Sequence, residues 1–163
     1  MPWYHGTGHD TADAALGAGS FASDYRNRKA VWGAGVYLSD DAREVSRFGE
    51  RTLELDASRA RLWDVSGESW GWGPVTVADQ MPAERRDTFR ERTAYSPERG
   101  FADYGMELRE QIIAMGYDGI AFRGDNDNRW AVVYRPELVR VARELSAAEV
   151  AALPAVHAVS FEI

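Results

Sequence analysis

No cysteine occurs anywhere in the 163 residues. That excludes a thiolate nucleophile, a disulfide framework and a Cys-ligated zinc site. It fits a reducing compartment. Lysine is almost as scarce: Lys29 is the only one, and arginine carries the rest of the cationic charge. Long apolar runs are missing too. None approaches the ~18–20 residues that span a bilayer. The opening MPWYHGTGHD has neither a basic n-region nor an apolar h-region. The chain is therefore expected to be soluble, with no membrane partner. Its expected place is cytoplasmic, or a target cell's cytoplasm reached by a non-Sec route. Net positive charge is also lacking. The balance is −7, so long-range electrostatics do not favour nucleic acid.

What is present is ordinary globular material. Hydrophobic residues make up 45% and charged residues 28%, which excludes disorder. The length suits one domain, 1–163, large enough to fold without a metal or disulfide staple.

Local patterns give the elements. Trp3-Tyr4-His5 reads as a short strand stopped by Gly6. Thr11 to Leu16 reads as a helix with Asp10 or Thr11 as its cap and Gly17 at its end. Residues 18–33 read as an irregular loop, and Val36 to Leu38 as a strand. Ser39-Asp40 caps a helix to about Phe48, with Ala42, Val45 and Phe48 on one face. Thr52 to Leu55 and Arg61 to Val65 are strand-like, and residues 66–74 are turn-rich. Helices follow near 76–92 and 103–115, with Gly116 at C′. Asp118–Phe122 and Trp130–Tyr134 form a hairpin about the polar turn 124–129. Ser146 to Leu153 is a helix with a Ser146/Glu149 capping box, and Val156 to Ile163 a closing strand. Strands at both ends with hairpins between give an α+β class.

Several chemical readings fail on spacing. Gly33-Ala34-Gly35 has Leu38 where a dinucleotide fingerprint needs its third glycine. The Asp125–Asn128 run has Trp130 and Pro136 where a calcium loop needs glycine and glutamate. His5, His9 and Asp10 have helical spacing, but Gly6 and Gly8 argue against a helix holding them as a metal site. No G-x-S-x-G elbow occurs. Taken alone, His5 reads as a satisfied structural histidine. Tyr37 is a half-buried strand tyrosine or a stacking platform. Arg85, Arg86, Arg90 and Arg92 read as a solvated helix face. Trp70 and Trp72 read as loop packing or a contact surface.

Three segments in order change this. They are Tyr4-His5-Gly6-Thr7, Gly33-x-Gly-Val-Tyr-Leu-Ser39 with its helix, and Gly116-Tyr-Asp-Gly-Ile120 with the Val132-Val-Tyr-x-Pro136 hairpin. Together, from about residue 3 to 140, they resemble the His-Tyr-Glu branch of the ADP-ribosyltransferase superfamily. That branch includes diphtheria-toxin-like enzymes and poly(ADP-ribose) polymerases. The resemblance implies a split β-sheet core with peripheral helices, and NAD as co-substrate without a metal. Matched position by position, it implies that His5 bonds the adenosine ribose and the Gly6 backbone grips the nicotinamide amide, followed by Thr7. Tyr37 would stack on nicotinamide, Ser39 would be a lesser amide contact, and Phe48 would wall the other side of the ring.

The third motif departs from the pattern. Its glutamate is replaced by Trp130, which still lines the cofactor site in this reading. A register shift of one or two residues offers Arg129 or Asn128, neither a carboxylate. Asp125 and Asp127 on the adjoining turn are the candidate replacement acids, with Glu107 on the preceding helix further off. The resemblance therefore implies mono-ADP-ribosylation of a macromolecular or small-molecule acceptor, as in toxin and effector modules. Alternatives are a non-catalytic NAD- or ADP-ribose-binding module, an NAD glycohydrolase, and removal of a 2′-phosphate from RNA using Arg26, Arg28 and Arg123.

Overall fold

The computed structural model describes residues 2–25, 31–67, 73–93, 101–124 and 127–154. Its frame is a seven-stranded mixed sheet. The strands are β1 (Trp3–Thr7), β2 (Val36–Ser39), β3 (Arg51–Asp56), β4 (Leu62–Asp64), β5 (Gly119–Arg123), β6 (Arg129–Val133) and β7 (Arg140–Leu145). Their order is β4-β5-β6-β2-β1-β3-β7. The β4–β5 pair is parallel and the others are antiparallel. The helices are α1 (His9–Ala18), α2 (Ala42–Val45), α3 (Pro74–Ala78), α4 (Ala83–Arg92), α5 (Phe101–Ala114) and α6 (Ala147–Ala152). The class is α+β, as expected.

Strand alternation sorts the side chains onto two faces. Trp3, Val36, Leu38, Leu53, Leu55, Ala121, Ala131 and Val133 share one core with Ala12 and Ala15 of α1. This is the α1 face. On the opposite side Ile120, Phe122 and Val132 pack with Leu108 and Ile112 of α5 and Phe89 of α4. Further along that side, Tyr4 and Leu145 pack with Ala42 and Val45 of α2 and Val150 of α6. This is the α5 face. Trp130 packs against both of its clusters and so marks their seam.

The seven strands form one ladder with a narrow joint. Strands β1 and β2 pair only at Tyr4 and Ser39. By contrast, β1 and β3 pair along all five residues, Trp3 to Thr7. The β1 strand thus runs through Gly6 rather than stopping there.

Helix ends differ from the sequence reading where backbone geometry outranks capping preference. α1 starts behind Gly8, which offers no side-chain cap, and ends at Gly19 with φ +76°. Gly17 lies inside it. α2 is capped by Asp41, whose carboxylate accepts from the Arg43 N–H at 2.9 Å. Ser39 stays in β2. The chain then tightens into a 3₁₀ turn, Ser46–Phe48. Three residues per turn instead of 3.6 swing Phe48 off the Ala42/Val45 face, and it ends 70% exposed. The expected helix near 76–92 is broken into α3 and α4, because Pro82 cannot donate to the ladder. The strand β7 has no counterpart in the sequence reading. The Gly116 C′ position (φ +91°) and the Ser146/Glu149 capping box form as expected. The strand expected over 156–163, Trp70, Trp72, Arg26, Arg28 and Asp125 lie outside the described residues.

Candidate functional site

The narrow joint between β1 and β2 organises the site. The Tyr4–Ser39 pair fixes the register, so Gly6 and Tyr37, each two residues further along, fall on the α5 face with them. Tyr37 then lies opposite Val132, and Ser39 opposite Trp130. On the next strand Phe122 lies opposite Trp130. Gly6 is required by close approach. A Cβ there would stand 1.9 Å from the Val45 carbonyl oxygen, so only glycine lets α2 settle on β1.

Tyr37 is half-buried and held firmly. Its hydroxyl accepts from the Trp32 N–H at 2.9 Å and donates to the Gly33 carbonyl at 2.8 Å. Burial pushes its phenol pKa well up, so it stays protonated. Tyr134 donates to the Trp32 carbonyl at 2.8 Å. Two phenols therefore clasp one peptide segment. Gly33 sits in it at φ +97°, pressed on Gly105 and Arg109 of α5. The Trp32 indole stacks on Phe122 with centroids 4.0 Å apart and planes 18° apart. Beyond Trp130, Phe48 meets the indole edge-on at 6.1 Å and 80°. The seam of the α5 face is thus lined by aromatic rings: Tyr37, Trp130 and Phe48, with Trp32 on Phe122.

His5 and Thr7 lie on the α1 face, on the other side of β1 from Gly6. His5 is 4% exposed. Its Nδ1 is 2.6 Å from the Tyr37 carbonyl oxygen, and its Nε2 is 3.2 Å from the Tyr25 hydroxyl. A carbonyl only accepts, so Nδ1 carries the proton and Nε2 accepts from Tyr25. Burial lowers the imidazole pKa, which agrees with this neutral tautomer. Phe21 and Tyr25 pack edge-on to the ring at 5.2 and 5.9 Å. The Thr7 side chain bonds the same Tyr25 hydroxyl. His5 therefore bridges β1 to β2 where the ladder stops. A ribose hydroxyl could reach it only by displacing Tyr25.

Ser39 is fully buried. Its hydroxyl oxygen accepts from the Asp41 N–H at 3.1 Å and from Asn128 Nδ2 at 3.2 Å. The Ser39 hydroxyl thus ties β2 to the β5–β6 turn.

The candidate acids among the described residues, Asp127 and Glu107, are paired away from the aromatic seam. Asp127, at φ +61°, pairs with Arg123 at 3.0 Å. Arg123 lies opposite Arg129 on the α1 face. Glu107 sits between α4 and α5, with Arg92 at 3.7 Å. Asp40 accepts from the Arg129 N–H at 3.0 Å. Among the described residues no group of three or more His, Asp or Glu could hold a metal ion. Nor is any helix long and apolar enough to cross a membrane. Sequence reasoning missed Tyr25, Trp32 and Phe122. Trp32 directly precedes the Gly-x-Gly pair, and that adjacency was the available signal.

No protein-family model matches the chain. No curated protein matches it either. Two solved structures show distant likeness. An anti-CRISPR protein matches at a TM-score of 0.45 and 10% identity, over 89% of this chain and 95% of that one. The M. tuberculosis MbcT–MbcA toxin–antitoxin complex gives a TM-score of 0.39 and 12% identity, over 88% of this chain and 81% of that one. Neither likeness is strong enough to fix a fold family or an activity.

Proposed function

We propose that this chain binds NAD with its nicotinamide ring on the α5 face and transfers ADP-ribose to an acceptor. The reading rests on one observation. Gly6, Tyr37 and Trp130, picked from three separate sequence segments, fall on one face of adjacent strands, with the Phe48 ring edge-on to Trp130. In this reading Tyr37 is the platform and Phe48 the outer wall. The Gly6 backbone meets the carboxamide. His5 is a positioning residue that holds the Tyr37 carbonyl and so fixes the joint.

In the reaction, the bond between the pyridinium nitrogen and ribose C1 breaks. Its electron pair leaves with nicotinamide, which becomes neutral. The oxocarbenium-like ribose is captured by an acceptor nucleophile, which gives up a proton. Holding the leaving ring flat supplies orientation, a large share of such barriers. The acceptor is a macromolecule or a small molecule.

The test is nicotinamide release from NAD by the purified protein, with and without cell lysate, beside Tyr37→Ala. Release that needs both lysate and Tyr37 supports the transferase. Release without lysate marks a glycohydrolase or self-modification. A second reading, a non-catalytic NAD-binding module, is favoured by one observation: none of the described candidate carboxylates stands at the aromatic seam. NAD binding without release under either condition would establish it.

A further inference from the structure

Among the described residues, three aromatic rings already carry a cation. The Arg61 guanidinium lies 4.7 Å above Tyr117, Arg109 lies 5.7 Å above Tyr134, and Arg129 lies 5.3 Å above Trp3. Among the described residues no cation lies over Tyr37, Trp130 or Phe48. Yet Tyr37 and Trp130 are half-buried on the α5 face, and Phe48, edge-on to Trp130, is 70% exposed. A π-face carries negative charge density and attracts a cation, more strongly as water is excluded and most strongly at tryptophan. The neighbouring carboxylates are engaged elsewhere: Asp41 caps α2, Asp40 holds the Arg129 N–H, and Asp127 pairs with Arg123.

Resting on the proposed NAD site, we infer that Trp130 is its charge-selecting residue: its indole, set between Ser39, Phe122 and Phe48, takes a planar pyridinium cation in preference to a neutral ring. The occupant is the oxidised nicotinamide ring, and attraction comes from aromatic faces rather than from an acidic side chain. Trp130 lies opposite buried Ser39 and against Gly124, where a Cβ would come within 2.7 Å of the indole Nε1. The indole is thus fixed in place and does not need to fold over the ligand.

NAD and NADH differ at the reacting end in the charge and planarity of the nicotinamide ring, so titrating both measures the selection. Wild type is expected to bind NAD about five- to thirty-fold tighter than NADH. Trp130→Leu should bring that ratio close to one, and Trp130→Phe should keep part of it. Equal affinities in the wild type overturn the inference while leaving the NAD site standing. So does a Trp130→Leu variant that weakens both ligands alike with the ratio unchanged, since that is a packing effect. Binding of neither nucleotide overturns the inference together with the proposed function.

Discussion

Replacing Gly6 with alanine tests how the site is built. The added carbon would sit 1.9 Å from the Val45 carbonyl oxygen and 2.8 Å from its carbonyl carbon. Both are backbone atoms, so no side-chain rotation relieves the clash. Restoring ordinary contact requires α2 to lift from β1 by about 1.5 Å. Overpacking of this kind costs about 1–3 kcal/mol, and the rigid neighbour puts Gly6→Ala near the upper end. For a chain of this size that corresponds to a melting temperature lower by about 6–12 °C. The helix that moves leads directly into the turn carrying Phe48, so NAD affinity should fall even below the melting transition. Gly17→Ala is the control: it lies inside α1 with nothing within 4 Å of its Cβ position. It should be neutral or stabilising by up to about 1 kcal/mol. Differential scanning calorimetry and an NAD titration read both effects. A Gly6→Ala protein that melts within about 1 °C of wild type would refute the packing of α2 on β1.

Other expectations follow from the same contacts. Tyr37→Phe keeps the ring but strands the Trp32 N–H and the Gly33 carbonyl, at a cost of about 1–3 kcal/mol by chemical denaturation. If that variant also keeps NAD binding, the ring and not the hydroxyl serves the ligand, as the reading requires. Tyr134→Phe removes only the bond to the Trp32 carbonyl and should cost less than Tyr37→Phe, about 0.5–1.5 kcal/mol. His5 gives a pH signature. Burial holds its folded pKa below the unfolded value of about 6.5, so the unfolded chain binds more protons between the two. Its contribution is complete above about 6.5 and is lost as pH falls through the folded pKa. Wild type should therefore lose stability on acidification with a slope that His5→Asn lacks. Parallel pH profiles for the two proteins would contradict the buried neutral imidazole.

Much of the fold was legible because periodicity and turn chemistry coincide in it. Val36–Leu38, Thr52–Leu55 and the 118–134 hairpin have apolar or β-branched runs bounded by glycine and polar turns. Each is a strand, off by a residue or two at its ends. β7 escaped because RVAREL is an exposed edge strand with little apolar alternation; Leu145 is its only buried residue. Helix starts were misplaced where the backbone, not a polar side chain, sets the boundary, as at Gly8. For the site, the sequence named Gly6, Tyr37 and Trp130, and the register places them on the same face. It could not show that His5 and Thr7 point to the other face, because a one-residue alternation only acquires direction once β3 and α1 are in place. It also could not show that Phe48 swings outward, because that depends on a local change from α to 3₁₀ geometry.

The most direct test of the α5-face site uses the protein's own tryptophans. Trp3 lies on the α1 face beneath Arg129, whereas Trp32 and Trp130 lie on the α5 face. Their indole N–H resonances in a ¹⁵N-labelled sample can be assigned with single Trp→Phe variants. On titration with NAD, Trp130 and Trp32 are expected to shift and broaden together while Trp3 stays in place. A shift confined to Trp3, or saturation binding that leaves Trp130 unmoved, would contradict the placement of the site.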